Sequence, residues 1–268
     1  MYERFLALHS ERSPLLMPNA WDTGSAKLLA SLGFEALATT SSGFAATLGR
    51  LDGSVTRDEA LAHAAALASA VAVPVSADLE DCFGAAPEEV ARTVELAAQT
   101  GLAGCSVEDF TRDRDNPIYD LELAVERVAA AAEAAHRGPN RLVLTARAEG
   151  HLHGRTDLDE TIVRLRRYQE AGADVLFAPG VIQRDLIRAL VSELDRPVSV
   201  LAMRGCPSVA ELGELGVRRV SVGGAFAFAA LGALVDAATE LRERGSYGYL
   251  ERSRPGAEAA RAAFRSGG

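Results

Sequence analysis

A closed (β/α)8 barrel is the fold this sequence predicts, and three observations carry the expectation. Eight short apolar runs alternate with helical stretches, the pattern of a parallel sheet whose strands are covered on both faces. The chain has 268 residues, 48% of them hydrophobic, enough for one sizeable core. No Gly-x-Gly-x-x-Gly fingerprint follows the first run, so an open dinucleotide-binding sheet lacks its main signature.

Leu15–Trp21 reads as the first strand, with Asp22 or Thr23 capping a helix over Gly24–Leu32 that Gly33 ends. Ala36–Thr40 is the second strand and runs into the small polar turn Thr40-Ser41-Ser42-Gly43, before helical periodicity from Arg57 to Val71. The central strand, Pro74–Glu80, precedes a helix over Pro87–Thr100 with proline in its first turn. Gly104–Asp109 is strand four, and Phe110–Asp120, polar and proline-containing, reads as a mobile loop. A helix over Leu121–His136, strand five at Leu142–Arg147 and a helix over Asp157–Ala171 follow. Strands six to eight fall at Ala173–Pro179, Pro197–Ala202 and Arg218–Gly223, with helices near Arg184–Glu193, Val209–Leu215 and Ala225–Arg242. The barrel is thus assigned to residues 1–245 and a helical extension, centred on Gly256–Phe264, to residues 246–268.

Composition excludes several functions. A net charge of −9 and a pI near 5.2 argue against nucleic acid and anionic membrane surfaces as partners. No apolar run approaches the ~20 residues of a membrane span, and the first residues lack a signal peptide's apolar core, so a cytoplasmic location is expected. The three cysteines are too scattered for a disulfide framework. Lys27 is the sole lysine and falls inside a helix rather than at a strand end, which disfavours Schiff-base and pyridoxal chemistry. The His-Glu-x-x-His, Gly-x-Ser-x-Gly and Walker motifs are absent, and the five histidines form no zinc-ligand spacing.

In such a barrel the chemistry sits at the carboxyl ends of the strands. Alternation along the central strand puts Val75, Ala77 and Leu79 on one face and Ser76, Asp78 and Glu80 on the other. Two carboxylates at a strand end suit a hard divalent cation. The bland alternative is a helix cap at Asp78 and solvated loop acids after it. Strand two ends in Thr40, Ser41 and Ser42, whose turn has backbone N–H groups to hold an anion. Asp52 follows in a Gly-flanked loop, Glu108 ends strand four with Ser106 on its face, and Arg147 ends strand five above Thr145. Oxygen ligands in this number select Mg²⁺ or Mn²⁺. Arg147 has the fork for a carboxylate or phosphate; its alternative is a salt bridge to Glu149 or Asp109. A metal beside a carboxylate-binding arginine suits a small 2-oxo acid.

Taken together, MPNAWDTGSAKLLASLGF, ATTSSGFAATLGRLDG, VSADLEDCFG, GCSVED and LTARAEG resemble the isocitrate lyase / phosphoenolpyruvate mutase superfamily, over nearly the whole chain. The likeness is greatest to its phosphonomutase-like, methylisocitrate-lyase-like bacterial branch. The resemblance implies metal ligation at Asp78, Glu80 (Asp in the family) and Glu108, largely through water, with Asp52 as a loop acid. It implies substrate contacts from Thr40, Ser41, Ser42 and Arg147. It also implies a homodimer or homotetramer that exchanges its C-terminal helix. The family's lyases carry a Lys-(Lys/Arg)-Cys-Gly-His loop after strand four, where this chain has FTRDRDNPIYD; that argues against isocitrate or methylisocitrate cleavage. The mutases use an Asn-bearing loop there, and Asn116 is the counterpart available. Three functions follow as expectations. The first is a Mg²⁺-dependent lyase acting next to the oxo carbon of a small 2-oxo or 2-hydroxy acid, with oxaloacetate-type decarboxylation the simplest case. The second is a P–C mutase or hydrolase for phosphonopyruvate-like substrates, and the third a 2-oxo-acid-binding protein without turnover.

Overall fold

The barrel closes on a strand that a proline breaks in two. The computed structural model describes residues 1–265. It opens with helix α1 (Tyr2–Leu8), followed by β1 (Leu15–Met17), β2 (Asn19–Ala20), α2 (Thr23–Ser31), β3 (Leu37–Thr39), α3 (Ser41–Thr47) and α4 (Arg57–Ala70). Next come β4 (Val75–Asp78), α5 (Pro87–Ala97), β5 (Gly104–Glu108), α6 (Leu121–His136), β6 (Val143–Arg147) and, after a 3₁₀ turn, α7 (Leu158–Glu170). The chain ends with β7 (Val175–Phe177), α8 (Arg184–Glu193), β8 (Val198–Leu201), α9 (Val209–Glu214), β9 (Arg219–Ser221), α10 (Ala225–Arg244) and α11 (Leu250–Arg265). All pairings are parallel and run in the order β1-β9-β8-β7-β6-β5-β4-β3-β2. The two ends of that order, β1 and β2, are the halves of the one predicted first strand. Pro18 has no N–H for a ladder and separates them, while its carbonyl still accepts from Ala38 N at 3.0 Å. Asn19 mends the break: its amide donates to the Thr39 carbonyl (2.7 Å), and its Oδ1 accepts from the N–H groups of Val222 (3.0 Å) and Gly223 (2.9 Å).

The strands alternate with period two. Val75, Ala77, Cys105, Val107, Leu144, Ala146, Leu176, Val198, Val200 and Val220 face the helices and form the main core. The opposite faces carry Ser76, Ser106, Thr145, Ser199, Arg219 and Ser221, all buried. Small hydroxyl side chains therefore line much of the barrel interior where bulky aliphatics usually fill it, and a cavity of about 150 Å³ remains inside.

Helix α1, which the sequence pattern did not predict, packs Phe5 among Leu15, Val143 and Val175 in a separate cluster. Its cap residue His9 is 1% exposed, packs edge-on to Phe5 at 4.8 Å and donates from Nδ1 to the Phe5 carbonyl at 2.8 Å, while Nε2 has no partner among the described residues. Burial, with Arg219 nearby, pushes the His9 imidazole down to about 4, from an ordinary 6.5. A depressed value means that the fold holds His9 neutral, so the stabilisation is complete above pH 6.5 and lost as pH falls towards 4. The shift corresponds to about 3 kcal/mol. His9→Gln should therefore flatten the fall of melting temperature between pH 7 and pH 4.5; parallel curves for variant and parent would refute this.

Helices α6 and α8 have their predicted bounds, and Asp22 caps α2 as expected. The C-terminal helix is longer than predicted: it begins at Leu250, runs through Pro255, and packs on α2 of the same chain, with Phe264 over Gly24. Of the extension assigned to residues 246–268, the last three lie outside the described residues.

Candidate active site

Two adjoining cavities occupy the carboxyl end of the barrel. The outer one, about 470 Å³, is bounded by Asp52, Glu80, Glu108, Glu149 and the loop residues Phe110, Arg112 and Arg114. The inner one reaches down among Thr40, Ser42, Asp78, Ser106, Phe177 and Arg219, and Ser41, Asp52 and Arg147 border both. Asp52, Asp78, Glu80, Glu108 and Arg147, drawn from four separate loops and strand ends, are thus brought to one mouth.

The local geometry corrects three expectations. The central strand ends at Asp78, not at Glu80. Glu80, Cys82 and Phe83 adopt left-handed conformations (φ 52°, 59° and 60°), so the chain coils back on itself and Glu80 reaches the mouth from a strained turn. The Thr40–Gly43 turn is the start of α3, with Thr40 as its cap. Two of its N–H groups are engaged within the protein: Ser41 N donates to Asp78 Oδ2 (3.2 Å) and Gly43 N to Thr40 Oγ1 (3.3 Å). Gly43 permits this packing, since a Cβ there would sit 2.6 Å from the Thr40 side chain and 3.2 Å from Ala227.

Arg147 is the third correction. Its guanidinium is not presented as a free fork but is enclosed by acids: one terminal nitrogen donates to Asp78 Oδ1 (2.8 Å), and the other meets Glu108 Oε2 (3.1 Å) and Glu149 Oε1 (2.7 Å). Nε also donates to Glu149, at 2.9 Å. Glu149 is oriented in turn by Asp109, which accepts from its N–H at 2.8 Å and from the Tyr168 hydroxyl at 2.6 Å. Arg147 therefore clamps strands β4, β5 and β6 together at the mouth.

The acids still outnumber their cations. Burial, then the Asp78 carboxylate, pushes the Glu80 carboxyl up to about 7, although Arg112 lies 3.2 Å away. Burial also lifts Glu108 well above the ordinary carboxylate range, against the pull of Arg147. The predicted mobile loop folds over the mouth. Phe110 pairs with Ile118, and Arg112 bonds Asp81 Oδ1 (2.6 Å) and the Gly53 carbonyl (3.1 Å). Phe110 stacks on His153 at 4.1 Å. Asn116 does not reach the mouth: it is exposed, borders neither cavity, and its carbonyl accepts from the Thr111 hydroxyl. Sequence reasoning named Glu149 only as the alternative partner of Arg147, did not single out Arg112 and missed Arg219, whose signal is an arginine at an inward position of the last strand.

The fold and the mouth define a (β/α)8-barrel protein with an acid cluster at its strand ends. More closely, the chain belongs to the phosphoenolpyruvate phosphomutase family, whose model matches residues 5–242, within the phosphoenolpyruvate mutase/isocitrate lyase superfamily. A crystal structure from Burkholderia cenocepacia J2315, classed no more finely than lyase/mutase, is 50% identical with a TM-score of 0.94, over 97% of this chain and 94% of that one. An oxaloacetate decarboxylase of Pseudomonas paraeruginosa is 33% identical over 241 residues, 85% of this chain and 80% of the relative. The structure of a 2,3-dimethylmalate lyase is 29% identical with a TM-score of 0.83, over 92% and 89% of the two chains.

Proposed function

We propose that this protein is a divalent-cation-dependent lyase that breaks the C–C bond next to the oxo carbon of a small 2-oxo acid, with an oxaloacetate-type decarboxylation as its simplest reaction. The observation that carries this reading is the convergence of Asp78, Glu80 and Glu108 beside Asp52, at the mouth of a polar cavity. The likeness to an oxaloacetate decarboxylase and a dimethylmalate lyase supports the same bond type.

The acid cluster fits a hard cation. A carboxyl held near neutrality among other acids is short of positive charge, and oxygen donors match Mg²⁺ or Mn²⁺. Among the described residues no three such donors converge closely enough to ligate an ion directly, so the fit is to an ion bound largely through water. Asp78, Glu80 and Glu108 would hold it, with Arg147 keeping Asp78 and Glu108 in position. A cation there supplies positive charge where the substrate's carboxylate and oxo oxygens sit, which stabilises the charge that develops as the adjacent bond breaks. The hydroxyls of Thr40, Ser41 and Ser42 line the substrate's path. Arg112 latches the loop over the mouth and limits the entry of water.

A P–C mutase or hydrolase is the second reading. It is favoured by Arg114, which borders the outer cavity and makes no ion pair among the described residues. Supplying oxaloacetate and phosphonopyruvate separately with Mg²⁺ and following their products tests both. Release of CO2 faster than with Mg²⁺ alone supports the lyase, release of phosphate or isomerised product supports the second reading, and binding without turnover leaves a 2-oxo-acid-binding protein.

Pairing of subunits belongs to this proposal too. Phe226, Phe228, Leu231, Leu234 and Val235 of α10 are 40–63% exposed in the single chain, which supports burial of that helix against a second copy. No helix among the described residues is long and apolar enough to cross a membrane.

A further inference from the structure

Arg219 is a buried guanidinium with no carboxylate. It lies on the inward face of β9 and is 3% exposed. Nε donates to Ser199 Oγ at 2.9 Å, and one terminal nitrogen reaches across the barrel to Thr145 Oγ1 at 2.9 Å. The other terminal nitrogen has no partner among the described residues, and the side chain borders the inner cavity. The other buried arginines differ. Arg147 and Arg164 are paired with acids, and Arg127 is satisfied by the carbonyls of Asp81, Gly84 and Ala85.

An isolated buried charge is costly unless something of opposite charge meets it. Burial, then the nearby Arg147, lowers the Arg219 value to about 9, which leaves it cationic at neutral pH. Its two hydroxyl neighbours accept from it and fix its position, but neither brings a negative charge. The guanidinium therefore has a free donor and a positive charge and lacks an anionic acceptor. Arg147, the guanidinium expected to take the substrate's carboxylate, is already saturated with acids; Arg219 is the one that is not.

We propose that the Arg219 guanidinium, held against the inner cavity by Thr145 and Ser199, receives a second, anionic end of the substrate, so that the site selects acids with a distal carboxylate or phosphonate over those without one. This rests on the reading that the mouth acids hold the 2-oxo or 2-hydroxy head group through a divalent cation. Thr145 lies two residues below Arg147 on β6, about 6–7 Å deeper along the strand. A three- or four-carbon acid with an anionic tail bridges that depth from head group to tail.

Two ligand pairs isolate the tail. Malate and lactate share a 2-hydroxy-acid head and differ in the distal carboxylate, and phosphonopyruvate and pyruvate differ in the phosphonate. Calorimetry in Mg²⁺ should show the parent protein binding at least one tailed ligand roughly ten- to hundredfold more tightly than its tailless counterpart. The preferred pair identifies the tail as carboxylate or phosphonate. Arg219→Met should abolish that preference while the tailless ligand binds within about threefold of the parent. Its melting temperature should equal or exceed the parent's, because a neutral chain of similar length replaces a lone buried charge. An undiminished preference in Arg219→Met would overturn this inference and leave the lyase reading standing. A lowered melting temperature with every ligand weakened alike would make Arg219 a structural prop. Failure of the parent to bind any of the four ligands would overturn the cation-held head group and this inference with it.

Discussion

Asp78→Asn should abolish divalent-cation binding and turnover while leaving the protein folded. Asp78 connects three parts of the mouth: it accepts from Ser41 N at the start of α3, from Arg147 on β6, and from Glu80 N in the turn that follows it. Asparagine keeps one oxygen, enough for Arg147 and Glu80 N, while its NH2 would face Ser41 N, so a modest fall in melting temperature with the fold intact is expected. The lost charge matters more to a cation. Outer partners of a metal account for ten- to hundredfold changes in affinity, and loss of a direct carboxylate should exceed that range. Calorimetric titration with Mg²⁺ gives the answer. An affinity within a few-fold of the parent's would remove Asp78 from the cation site.

Arg147→Met should cost the protein about 3–5 kcal/mol of stability at pH 7, the scale on which a buried pair loses one partner. Three carboxylates, from Asp78, Glu108 and Glu149, would be left facing one another without their shared cation. The loss should depend on pH. Burial already raises Glu108 and Glu149 above their ordinary values in the intact protein, and removing Arg147 raises them further. A carboxyl raised by folding favours the protonated fold, so its contribution is present at low pH and lost as pH rises. The gap between variant and parent should accordingly narrow on acidification. Thermal melts at pH 5 and pH 8 measure it. An unchanged melting temperature together with weaker ligand binding would instead return Arg147 to the role of a free carboxylate fork.

The contrast between those two roles marks how far the sequence could be read. Strand positions and facing were legible, because a parallel barrel imposes period-two alternation on apolar runs that end in turn residues. Asp78, Glu108 and Arg147 were legible for the same reason: a charged residue closing a buried strand has to meet something. The break at Pro18 was open to inspection, but its repair by Asn19 depends on contacts some 200 residues away in sequence. Glu80 was assigned to the right mouth for the wrong local reason, since alternation cannot reveal that the backbone turns left-handed after Asp78. The engagement of Arg147 by three acids, and the isolation of Arg219, are products of register between strands. Charge alone at a strand position does not say which guanidinium is neutralised and which is available. Asn116 was chosen by analogy of loop position, and the way Thr111 and Arg112 draw the loop inward leaves it outside.

The central claim is that the mouth acids hold a divalent cation and that a 2-oxo acid head group binds through it. Oxalate presents the adjacent oxygens of such a head group without a bond to break, so its binding separates recognition from turnover. Titrating oxalate into the protein, first with Mg²⁺ and then with the ion removed by chelator, tests the claim most directly. Saturable binding of one oxalate per chain that disappears with the metal is the predicted result; binding of equal strength without Mg²⁺, or none with it, would contradict the account.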